Sequence, residues 1–99
     1  MRATWNGQII AESDDTVVVG GRHYFPRSAI KIELLSPSER TSECSVKGTA
    51  SYFSVTVEGQ EAPNSAWTYP NPKDEAIKDR IAFWNGVEVV HEGGTPGAK

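Results

Sequence analysis

At 99 residues, with 37% hydrophobic and 23% charged side chains, the chain has the composition of one ordinary globular domain, which excludes collagen-like and low-complexity architectures. Ten Lys and Arg against thirteen Asp and Glu give a formal charge of −3, and the positive residues are scattered; this excludes the dense cationic footprint that nonspecific nucleic-acid binding needs. The single cysteine, Cys44, excludes an internal disulfide and a Cys-rich zinc site.

Met1-Arg2-Ala3-Thr4-Trp5-Asn6-Gly7-Gln8 has no continuous apolar run of the signal-peptide kind, and no stretch approaches the roughly 20 apolar residues of a membrane span. The expectation is a cytoplasmic domain with neither nucleic acid nor membrane as a partner, existing as a monomer or a homodimer. No metal and no cofactor is expected.

Asn6-Gly7 takes readily the positive φ angles of a two-residue hairpin turn and predicts strands at 2–5 and 8–12. After the Asp14-Asp15 turn, Thr16 to Val19 carries three consecutive valines and reads as a strand buried on both sides. Gly20-Gly21 predicts a tight turn into Arg22-His23-Tyr24-Phe25. Pro26 to Ala29 suits one helical turn, because proline is tolerated at a first helical position. Ile30 to Leu34 alternates with a period of two, so Ile30, Ile32 and Leu34 are expected to face inward. Ser36 to Thr41 is polar and proline-interrupted, and reads as a surface loop.

From Thr49 to Glu58 the odd positions Phe53, Val55 and Val57 make an apolar face, and the even positions Ala50, Tyr52, Ser54, Thr56 and Glu58 a mixed one. Two faces mean two jobs. Gly59 ends this strand, and Ala66 to Tyr69 forms a short one that Pro70-Asn71-Pro72 breaks. Lys73 to Arg80 is the one helical segment, two turns with Ala76, Ile77 and Ile81 as a narrow apolar stripe, acting as a lid or a plug. Ile81 to Trp84, Asn85-Gly86 and Val87 to Val90 read as a closing hairpin. The expected organisation is a single domain over 1–90 and a flexible tail over 91–99. Helices do not alternate with strands, so the fold class is mainly β: about six to nine antiparallel strands in a small barrel or two packed sheets, with a short helix near 73–80.

The segment Glu43 to Val57 holds the chemistry-bearing residues. Lys47, three positions after Cys44, would favour the thiolate, making Cys44 a weak candidate nucleophile; free cysteine also packs well as a small hydrophobe, and no accompanying His or Asn motif is visible. Lys47-Gly48-Thr49 lacks the remainder of a phosphate-loop signature, which leaves Lys47 as a solvated turn residue or as an anion anchor aimed into a pocket. Tyr52, with Trp67 and Tyr69 on one side of their strand, could wall an aromatic pocket or fill the core. Arg22 and His23 read as edge-strand residues, His91 lies beside the tail, Asp14-Asp15 caps a turn, and Trp5 and Trp84 follow strand patterns as core residues.

Ala3-Thr4-Trp5-Asn6-Gly7, Ser13-Asp14-Asp15-Thr16-Val17, Tyr24-Phe25-Pro26, Cys44-x-x-Lys47-Gly48-Thr49-Ala50-x-Tyr52, Trp67-x-Tyr69-Pro70-x-Pro72 and Ile81-Ala82-Phe83 together resemble the bacterial domain-of-unknown-function family 427, up to about Val90. The resemblance implies a compact β fold of the Mss4-like or β-tent group, which includes methionine sulfoxide reductase B and the drug-binding domain of cereblon. Members of that group that bind zinc do so through two Cys-x-x-Cys pairs, which one cysteine cannot supply. Many relatives carry Cys-Pro-Trp-Lys-Gly where this chain has Cys44-Ser45-Val46-Lys47-Gly48, so the aromatic ring of that loop is missing. The family also bears a nucleotidyltransferase label, but the Gly-Ser and spaced Asp-x-Asp residues that would hold two metals are absent.

Three functional readings follow. The first is binding of a small organic or anionic ligand by Lys47, Tyr52, Trp67 and Tyr69, with Cys44 at the rim. The second is a small enzyme using Cys44 or Tyr52 with Lys47. The third is a homo-oligomeric interaction module without catalysis, recruiting a second subunit through unpaired strand edges.

Overall fold

A computed structural model describes residues 1–45 and 47–90. The tail expected over 91–99, with His91, lies outside them. Among the described residues nine strands form two antiparallel sheets: β1 (Arg2–Trp5), β2 (Gln8–Glu12), β3 (Val17–Val19), β4 (Arg22–Pro26), β5 (Leu35–Cys44), β6 (Gly48–Val57), β7 (Gln60–Thr68), β8 (Arg80–Phe83) and β9 (Glu88–Val90). The smaller sheet has the order β2-β1-β9 and the larger β3-β4-β8-β7-β6-β5. The fold is therefore mainly β, and of the two expected architectures it is the two-sheet one; the strands do not close into a barrel.

Strand alternation splits the interior in two. Phe25, Val55, Val57, Ala66, Ile81 and Phe83 of the larger sheet pack with Ala3, Ile10 and Ala11 of the smaller, and with Val87 just before β9, into one aliphatic core between the sheets. Their sequence neighbours point to the opposite face: Tyr24, Tyr52, Trp67 and Ala82 join Ala50, Tyr69 and Ile77 in a second, aromatic cluster. Both faces of β6 are consequently in use.

Several local expectations change. Val17–Val19 is an edge strand, with Val18 56% exposed, because it has only β4 to pair with. Ile30 is buried and bridges Ala11, but the chain must then turn towards β5, so Ile32–Leu34 is a 3-10 turn and Ile32 is left 42% exposed. Ser36 to Thr41 belongs to β5 rather than to a loop. Proline is tolerated there because β5 is an edge strand and its register shifts between Pro37 and Thr41.

The strand expected over Ala66–Tyr69 is the end of a longer one that stops at Thr68, leaving Tyr69 just beyond it. Glu58 (φ 50°) and Gly59 (φ 79°) form a positive-φ hairpin turn that starts β7 at Gln60, and Pro63 falls where the β6–β7 register shifts. Lys73 to Arg80 contains a single 3-10 turn, Glu75–Ile77, capped by the Asp74 carboxylate, which accepts from the Ala76 N–H at 3.0 Å. Asp79, at φ 61°, ends the segment before a second turn can form. Ile77 is fully buried in the aromatic cluster, the plug position. The closing hairpin is a corner instead: β8 lies in the larger sheet and β9 pairs with β1. Phe83 and Val87 both enter the aliphatic core from the two sides of Asn85-Gly86, which draws the chain from one sheet to the other.

Candidate functional site

The open face of the larger sheet carries the expected site. In strand order, β4 presents Tyr24, β8 presents Ala82, β7 presents Trp67 and β6 presents Tyr52. Register places Trp67 opposite both Tyr52 and Ala82. The small Ala82 is fully buried between two rings that meet each other.

The rings are pinned. The Trp67 indole Nε1 donates to the Tyr24 hydroxyl at 3.3 Å, with the two rings edge to face at 6.2 Å between centroids. Trp67 also meets Trp84 edge to face at 6.0 Å and lies tilted against Tyr52 at 6.3 Å. Trp84 Nε1 donates to the Asn64 carbonyl at 2.8 Å, and the Tyr52 and Ser42 hydroxyls share a hydrogen bond at 3.1 Å. No buried side-chain polar atom among the described residues lacks a partner, so the walls are held in one arrangement.

These rings enclose a recess of about 270 Å³. Lys47, Tyr52, Trp67 and Tyr69 all border it, and Gly20, Arg22, Tyr24 and Trp84 complete its lining. Lys47 is brought in by its own turn. Gly48 has φ 111°, and a Cβ there would stand 3.0 Å from the Asn71 carbonyl oxygen, so only glycine lets the turn approach the Pro70–Pro72 segment. The Lys73 N–H donates to the Lys47 carbonyl at 3.0 Å and the Lys73 ammonium to the Ser45 carbonyl at 2.9 Å, fastening both sides of the turn.

Tyr69 is 7% exposed. Its phenol is pushed up to about 12, first by burial and then by the neighbouring Tyr24, Cys44 and Tyr52 groups and a hydrogen bond with Tyr24. At neutral pH it is an uncharged hydroxyl facing the recess.

Cys44 does not border the recess. It is half-buried, packs against the aromatic cluster, and opens on a neighbouring depression of about 580 Å³ with Glu43, Ser45, Gly48, Thr49 and Lys73. The Lys47 ammonium lies at the Gly20 backbone, where a Cβ would stand 3.0 Å from Nζ. His23 is half-buried with Nδ1 3.0 Å from the Thr16 hydroxyl, and Asp15 pairs with Arg80 at 3.3 Å. Trp5 packs against the aliphatic core. No group of three or more His, Cys, Asp or Glu side chains that could hold a metal occurs among the described residues.

Arg22, Tyr24 and Trp84 were not expected in the site. Arg22 and Tyr24 are two apart on one strand and must share a face, a legible signal. What the chain order concealed is that β8 inserts between β4 and β7 and carries that face alongside Trp67.

Fold and site together define a small two-sheet β domain with an aromatic recess on the face of its larger sheet that points away from the smaller one. The chain belongs to the family described as Domain of unknown function (DUF427), whose profile matches residues 1–93. No curated protein is recovered as a relative. Among the described residues no helix is long and apolar enough to cross a membrane.

Proposed function

We propose that the domain binds a small organic molecule in the aromatic recess. The observation supporting this reading is that Lys47, Tyr52, Trp67 and Tyr69, drawn from two separate chain segments, border one recess whose walls are already hydrogen-bonded in place. Preorganised walls lower the ordering cost of binding. At about 270 Å³ the recess sits just below the roughly 300–1,000 Å³ of drug-sized sites, which suits a ligand of one ring.

Trp67 and Trp84 make the test direct. Titration with a panel of small metabolites should change tryptophan emission saturably for at least one compound. That compound, at about a hundredfold above its Kd, should raise the melting temperature by on the order of 10 °C. Cys44→Ser should keep the response, because Cys44 faces the neighbouring depression. A panel without any saturable change in emission or melting would overturn the reading.

A further inference from the structure

Resting on that reading, we propose that the ligand is an oxyanion carried on a single planar ring, and that Arg22 and Lys47 form the pair of cations that selects it. The charge balance of the recess carries this. Arg22 and Lys47 are its only charged lining residues, with no carboxylate among the described lining. The chain has thirteen acidic residues to ten basic, and it pairs Arg2 with Glu12 at 2.8 Å and Arg80 with Asp15 at 3.3 Å. Neither Arg22 nor Lys47 has an ion-pair partner among the described residues. Two like charges at one rim repel each other, and an anion between them relieves this.

The two cations line one recess. Lys47 Nζ lies at the Gly20 backbone, two residues before Arg22 in the turn leading into β4. The Arg22 guanidinium carbon stands 5.7 Å from the Trp67 ring centroid and 5.9 Å from that of Trp84. Contact with the ring faces steadies the guanidinium and leaves its in-plane N–H fork for the two oxygens of a carboxylate or phosphate. Lys47 supplies a second positive charge to the same recess. Tyr52 and Trp67 border the same recess, with the Arg40 guanidinium carbon 5.0 Å from the Tyr52 ring centroid, and the neutral Tyr69 hydroxyl adds a hydrogen-bonding group without charge repulsion.

The test uses benzoate, phenyl phosphate, benzamide, benzylamine and inorganic phosphate, titrated against the full chain with tryptophan emission as the readout. Benzoate or phenyl phosphate should bind at least tenfold more tightly than benzamide, benzylamine or inorganic phosphate, and the tighter of the two tells carboxylate from phosphate. Arg22→Gln and Lys47→Gln should each weaken the aromatic anion at least tenfold, and Arg22→Lys should restore part of the loss. Arg22 is exposed and Lys47 half-buried, so circular dichroism should show both variants folded. Benzamide binding as tightly as benzoate, or benzylamine binding more tightly, would overturn the oxyanion while leaving the binding reading in place. Aromatic anions that bind equally well to both Gln variants would overturn the roles of Arg22 and Lys47. If the aromatic anions are silent while other metabolites change the emission, only the ligand class falls; if every compound is silent, both readings fall.

Discussion

The two faces of the six-stranded sheet are built from neighbouring residues of the same strands, yet they do opposite things. Phe25, Val55 and Phe83 are buried in the aliphatic core shared with the smaller sheet. Tyr24, Tyr52 and Trp67 on the other face have no second sheet above them among the described residues; they are held by hydrogen bonds and ring contacts, with Ile77 as the buried aliphatic anchor. Aliphatic side chains stabilise by close packing alone, so their face closes. Rings with hydroxyl and indole groups can be fixed at their edges by hydrogen bonds and still border a recess together with Arg22 and Lys47.

The largest effect belongs to the sealed face. Phe25→Ala removes a fully buried ring that meets Phe83 edge to face at 5.7 Å, and should cost about 3–5 kcal/mol in urea unfolding. A cost below about 1 kcal/mol would remove the distinction between the faces. Next comes the open face at alkaline pH. The native state holds the Tyr69 proton to about 12, whereas the unfolded chain releases it near the ordinary 10.0. The native state therefore binds more protons between those values, and the Tyr69 contribution to stability is level below about pH 10 and falls as pH rises through 12, by at most about 3 kcal/mol. Melting temperature measured against pH should show that fall, and Tyr69→Phe should flatten it; an unchanged slope in the variant would assign the fall elsewhere. The smallest effect tests how the rings are pinned. Tyr52→Phe removes one hydroxyl hydrogen bond with Ser42 and should cost about 1 kcal/mol in the same urea measurement. A cost matching that of Phe25→Ala would mean that the open face is as rigidly packed as the sealed one.

Much of this architecture is written locally. Asn6-Gly7 and Gly20-Gly21 carry their own turn chemistry, and the alternation through Tyr52 and Phe53 announces a strand with two different faces, which the aliphatic core and the aromatic cluster then occupy. Lys47, Tyr52, Trp67 and Tyr69 could be singled out because residue type and strand parity are properties of the chain itself. Other features were hidden for a physical reason. Ser36 to Thr41 looks like a loop until β6 offers it a ladder, and Val18 looks buried until β3 proves to be an edge. Asn85-Gly86 signals a turn without saying which sheet receives the next strand.

By itself the sequence determined that the chain is a β domain, where most of its turns lie, and which residues could wall a recess, because short-range sterics and side-chain alternation decide those things. Only the tertiary structure decided that β8 lies between β4 and β7, that Arg22 and Trp84 join the recess, and that Cys44 stands outside it. Those outcomes depend on which distant strands pair, and pairing is chosen by the burial of whole faces rather than by any local signal.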